Sequence, residues 1–137
     1  MKEFATSIIS MITTAFVYII GGIDVALISL LIAIVIDYIS GLIKAYVLKE
    51  LSSKVGFKGI LKKFGILLIV ALSVIVDKIA GQTGAIRTLV IYYFVANEGL
   101  SILENLAQSG LPIPKVIKKA LIALKENSEE EKWVNRF

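Results

Sequence analysis

The sequence predicts an all-α, multi-pass membrane protein with four transmembrane helices and a C-terminal amphipathic helix. Three observations predict it. The 137 residues are 57% hydrophobic, with a mean hydropathy of +0.84, against roughly 45–50% apolar in an ordinary soluble domain. Phe4–Ile23 runs 20 residues without a charge, which at about 1.5 Å per residue covers ~30 Å, one hydrocarbon core. The charges are also segregated, most of them falling in Asp37–Lys63, Asp77–Arg87 and the tail after Lys115. On this reading residues 1–110 are a transmembrane domain and 111–137 a cytoplasmic tail. The alternative is three spans, with segment one or four lying in the interface.

Segment one covers about residues 4–20. Met1–Glu3 is a weak signal n-region, and no A-x-A cleavage site follows the apolar run, so the segment is expected to be retained. Thr6, Ser10 and Thr13 fall on one side, with Ser7 and Thr14 beside them. In lipid such hydroxyls serve as small packing residues that bond back to their own helix. A wetted pore face is the other role open to them. Gly21-Gly22 ends the segment, and Asp24 is the only charge before the next.

Segment two covers about 25–43 and carries the most informative spacing. Ser29, Ala33, Asp37, Gly41 and Ala45 are each four apart, and residues i and i+4 share a helix face. The result is a groove of small residues with a carboxylate in its middle, the pattern of close helix approach in lipid. An Asp at a helix centre costs about 2.5–3.5 kcal/mol on the insertion scale, so Asp37 should face protein or water. It is either a structural residue bonded to a neighbouring helix or a polar element of an oligomer or pore. Lys44 lies seven residues on, ~10 Å along the axis, so Ser73, Asn97 or water are the expected partners. The small-residue face predicts self-association into a homo-oligomer.

Between segments two and three, Lys44, Lys49, Lys54, Lys58, Lys62 and Lys63 gather against Glu50. Short lysine-rich loops stay on the cytoplasmic side. This elbow, with the lysines of 115–125, places both termini in the cytoplasm. No aromatic residues are interleaved with the lysines and no nucleic-acid motif is present. Anionic lipid of the inner leaflet is the expected partner instead.

Segment three covers about 60–79, with an uncharged core of only Phe64–Val76. Lys62 and Lys63 are expected to snorkel back to the inner interface and lengthen the span. Ser73, Asp77 and Gly81 repeat the four-residue spacing, and Gly81–Gly84 reads as a turn. Segment four covers about 86–106 and is the least membrane-like. Asn97, Ser101, Glu104, Asn105 and Gln108 form a polar face, with Glu98 beside it. Pro112 and Pro114 then break the chain. Lys115–Glu126 reads as a basic amphipathic helix for the membrane surface, and Trp133 beyond it as a candidate interfacial anchor.

The chain has no cysteine and no histidine, which excludes disulfides, thiolate metal sites and histidine bases. Gly81–Gly84 lacks the lysine and spacing of a phosphate-binding loop. No enzyme, cofactor or metal is expected.

Asp37–Ala45, DYISGLIKA, resembles the D-x-x-[TS]-G-x-x-K-A signature of the toxin-secretion/phage-lysis holins of Gram-positive bacteria and their phages. Ser52-Ser53-Lys54 with Gly56 and Gly59 is similar to that family's loop, and Asp77 to its later acidic position. Asn97–Asn105, NEGLSILEN, followed by Gly110-Leu111-Pro112-Ile113-Pro114, resembles its N-E-x-x-S-I-x-E-N…G-x-P-x-P block. The resemblance runs from about Val25 to Leu124. It implies a protein that oligomerises in the cytoplasmic membrane and opens lesions through which an endolysin or a large toxin crosses. A small ion channel or transporter subunit is the alternative, and a membrane scaffold a third. The resemblance also raises Met11 as an internal start, with plain packing as its other role.

Overall fold

The computed structural model describes residues 1–128. Trp133 lies outside them. The described residues form five helices: α1 (Lys2–Ile20), α2 (Val25–Val47), α3 (Ser53–Ile79), α4 (Ala85–Gln108) and α5 (Lys115–Ser128). The first four are long and apolar enough to cross a membrane, in agreement with the predicted fold class.

The helix ends differ from the sequence reading mainly at the elbow. α2 continues to Val47, and α3 begins at Ser53 rather than near residue 60. Lys54, Lys58 and Lys62 are strong helix formers, and Ser52 caps the start by accepting from the Val55 N–H at 3.3 Å. Gly56 and Gly59 do not break the helix because Tyr38 packs there. A Cβ on Gly56 would lie 3.2 Å from the Tyr38 hydroxyl, and one on Gly59 3.4 Å from its ring. The loop therefore shrinks to Leu48–Ser52. At the far end, Asp24 caps α2 by accepting from Leu27 N–H at 2.9 Å.

α4 is the central helix and packs against α2, α3 and α5. The apolar core is small: Ile20, Leu27, Leu30, Ile66, Val70 and Ile91. Most of the remaining isoleucine, leucine and phenylalanine surface points outward, as a helix bundle solvated by lipid requires. α1 meets only α3. Ile20, its last residue, is the only one it buries. The hydroxyls of Thr6, Ser7 and Thr13 donate to the carbonyls of Lys2, Glu3 and Ile9, so these three are satisfied within their own helix.

α5, read from the sequence as a basic amphipathic helix, doubles back along α4, with Val116, Ile117 and Ile122 left exposed. Gly110, at φ +94°, turns the chain. Ile113 and Lys118 then share a hollow with Leu103, Glu104 and Ala107. Leu121 fills the notch left by Gly99, where a Cβ would lie 2.8 Å from Leu121 Cδ2. Lys125 Nζ stands 5.6 Å from the centre of the Tyr93 ring, within cation–π range. Gly99→Leu is therefore expected to lift α5 off α4, since overpacking a filled contact costs about 1–3 kcal/mol. A bis-maleimide link between cysteines at positions 93 and 125 should form in the parent chain and be lost in Gly99→Leu. Equal crosslinking in both would show that the notch does not hold α5.

Candidate functional site

The inward stripes of α2, α3 and α4 do not end where the apolar core ends. On α3 the stripe is Asp77, Val74, Val70, Ile66 and then Lys63, at spacings of three and four. On α2 it runs from Leu27 and Leu30 to Asp37 and Ser40, and on α4 from Arg87 and Ile91 to Glu98 and Asn105. Helical periodicity thus delivers charged side chains to one level between the three helices, near the elbow.

There Lys63 Nζ forms ion pairs with both Asp37 Oδ2 and Glu98 Oε2. Asn105 Nδ2 donates to Asp37 Oδ1 at 3.2 Å and to Ser40 Oγ at 3.0 Å. Ser40 Oγ donates in turn to the Asp37 carbonyl oxygen at 2.9 Å. The side chains of Asp37 and Glu98 are 8% and 4% exposed, and that of Lys63 17%. Among the described residues no buried side-chain nitrogen or oxygen lacks a partner. Burying ions without such pairing would cost several kcal/mol each. Two carboxylates face one ammonium, so with all three ionised the cluster carries one negative charge in excess.

These contacts correct two expectations. Asp37 is paired with Lys63 and Asn105, not with Ser73 or Asn97. Lys63 turns inward to the carboxylates instead of snorkelling to the interface, because two anions outweigh the interface as a partner. Ser73 instead donates to its own helix at the Val70 carbonyl.

A cavity of about 620 Å³ opens beside the cluster towards the elbow. Tyr38, Lys44, Lys58, Lys62, Asn97 and Ser101 are among its lining residues. Lys58 and Lys62 are exposed at its rim, whereas Lys49 and Lys54 lie off it, in solvent. The small-residue stripe of α2 is largely turned inward. Asp37 and Ala45 are buried, Ala33 half-buried, and a Cβ on Gly41 would lie 3.6 Å from Asn105 Nδ2. Ser29 is exposed and bonds to its own helix at the Val25 carbonyl. The face expected to join subunits is used mainly within the protomer, against α4. Glu104 is exposed and belongs to the α5 hollow instead.

A second polar site closes the opposite end. Asp77, which repeats the four-residue spacing of segment two, caps α4: its carboxylate accepts from the N–H of Ile86 at 3.1 Å and of Arg87 at 2.7 Å. The Arg87 guanidinium donates to the Ile20 carbonyl at 2.7 Å, the Asp24 carboxylate at 2.7 Å and the Gly22 carbonyl at 2.8 Å. Gly21 is required beside it. Its φ is +83°, and a Cβ there would lie 2.8 Å from Arg87 Nε and from Val74 Cγ2. The hydrogen bond from Arg87 holds the Asp24 carboxyl below its usual value, helped by the Leu27 N–H.

Sequence reasoning did not single out Arg87, Ser40 or Asn105 for these roles. The usable signal was stripe continuity: Lys63 lies three residues before Ile66, and Asn105 seven after Glu98.

An all-helical, multi-pass protein whose buried charges are neutralised chiefly within the bundle is a membrane protein by construction. The model of the bacteriophage holin family matches residues 14–126, and the chain belongs to that family. It is 45% identical over 109 residues to an uncharacterized 14.9 kDa protein from the nagH 3′ region of Clostridium perfringens, covering 79% of this chain and 83% of that one. An uncharacterized Listeria innocua protein is 44% identical over 119 residues, 85% of each chain. A probable holin of Bacillus phage phi105 is 36% identical over 102 residues, covering 74% of this chain and 76% of the phage protein. No solved structure matches.

Proposed function

We propose that the chain is a holin that oligomerises in the bacterial cytoplasmic membrane and opens lesions large enough to release an endolysin or a large toxin. The family match and the phage relative support the class. The observation that carries the oligomer is α1. It has the length of a span but is held by its last turn alone, with Ile20 packed in the core and its carbonyl held by Arg87. A protomer that leaves a whole span unpacked presents it to a neighbour or to lipid. Expression in a bacterial cytoplasmic membrane tests the reading. Release of a cytoplasmic protein of tens of kilodaltons supports it, leakage of ions alone points to a channel, and no leakage removes lesion formation.

The lysine excess of the elbow supports a cytoplasmic elbow with both termini on the same side. Ser53 lies at that end and is exposed. In this cysteine-free chain, Ser53→Cys should resist an impermeant maleimide added to intact cells and react once the membrane is opened. Labelling from outside would invert the topology.

A further inference from the structure

We propose that the mouth of the cavity between α2, α3 and α4 binds the phosphate of an anionic glycerophospholipid. The inference rests on the cytoplasmic placement of the elbow given above. Lys44, Lys58 and Lys62 all line this cavity, and among the described residues none of them is in an ion pair. Glu50 is the one carboxylate that joins them outside the buried cluster. Three lysines against one glutamate leave the mouth with two positive charges in excess. The first turn of α3 adds to this, since Val55 and Gly56 line the cavity at the positive end of the helix dipole. The Tyr38 hydroxyl stands at the same place, close against Gly56.

The floor has the opposite sign. With all three ionised, Asp37 and Glu98 exceed Lys63 by one negative charge, so an anion is attracted to the rim and not to the depth. A ligand whose charge stays at headgroup level fits this gradient. Leu42, Val55 and Phe94 line the same cavity and offer apolar surface for acyl chains. That surface favours a lipid over free phosphate as the source of the phosphate group.

The test reads lipid retained by the purified protein, which does not depend on lesion opening. The full chain is solubilised in detergent doped with phosphatidylglycerol or phosphatidylcholine, and bound lipid is counted by native mass spectrometry. Wild type should retain phosphatidylglycerol preferentially. Lys58→Gln/Lys62→Gln should retain it at least about tenfold more weakly, the effect of losing one charge-assisted contact. Lys49→Gln/Lys54→Gln removes the same charge from the same elbow but off the cavity, and should bind as wild type does. All four lysines are exposed, so both variants should keep wild-type helicity. Equal losses in the two variants would reduce the effect to a diffuse basic surface and overturn the site. No preference for phosphatidylglycerol in wild type would overturn it too. Displacement of the lipid by millimolar inorganic phosphate would overturn the lipid assignment.

Discussion

Lys63→Met is expected to destabilise the bundle by about 3–5 kcal/mol, the usual cost of stranding a buried charge by removing its partner. The substitution nearly preserves side-chain length and apolar volume, so packing is little changed. What it removes is, among the described residues, the only cation bonded to Asp37 and Glu98. Two carboxylates then face each other between three helices, and at least one must take up a proton or draw in water. Asn105 still donates to Asp37, which leaves Glu98 the more exposed to the loss. Adding Asp37→Asn and Glu98→Gln to Lys63→Met should recover most of the stability, because neutral amides need no counterion. The measurement is unfolding of the detergent-solubilised protein followed by helicity. If Lys63→Met unfolds at the wild-type midpoint, the ion cluster is not what joins α3 to α2 and α4.

That cluster shows which parts of the site could be read in the sequence. Asp37 was legible as a buried carboxylate, because charge in the middle of a span has to be explained. Lys63 was not, because a lysine at the edge of an apolar run reads equally well as snorkelling. The two readings separate only when the partner helices are in place. Asn105 shares its helix face with Glu98, but periodicity alone could not say that this face meets α2 rather than a second subunit. The number and type of the helices followed from apolar length and segregated charge. The start of α3 did not, because a lysine-rich stretch suits a helix as well as a loop, and Tyr38 packing over Gly56 and Gly59 decides it. The docking of α5 was hidden for a similar reason: its apolar spacing does not say that Leu121 meets the notch at Gly99.

At the other end of the bundle, Arg87→Leu is expected to detach α1. The guanidinium joins three acceptors, the carbonyl of Ile20 at the end of α1 and, in the link to α2, the Gly22 carbonyl and the Asp24 carboxylate. Among the described residues little else holds α1 beyond the buried Ile20 and the Tyr18 ring under Lys78 Nζ, 4.3 Å from its centre. Arg87→Lys should fail nearly as fully, because one ammonium cannot reproduce a planar fork with three acceptors. Each lost contact to the charged group removes about 1.5–3 kcal/mol, less for Asp24, whose side chain is 51% exposed and screened by water. Asp24 also gives the clamp a pH dependence of known sign. Its carboxyl is held below the ordinary value of 3.8. A carboxylate depressed in the folded state contributes stability that is fully present above the unfolded value and is lost as pH falls through the folded value. The clamp is therefore intact at neutral pH and weakens on acidification below about 4. Asp24→Asn is the matched control, since asparagine also caps a helix but does not titrate. The unfolding midpoint of wild type minus that of Asp24→Asn should be positive and constant from neutrality to mildly acidic pH, then shrink as pH drops past the aspartate range. A difference that stays constant there would mean that Asp24 is not ion-paired with Arg87. Greater proteolysis or labelling within α1 of Arg87→Leu, with α2 to α4 still protected, would confirm that one arginine fixes the first span to the rest. Unchanged protection of α1 would show that it is held by contacts other than this clamp.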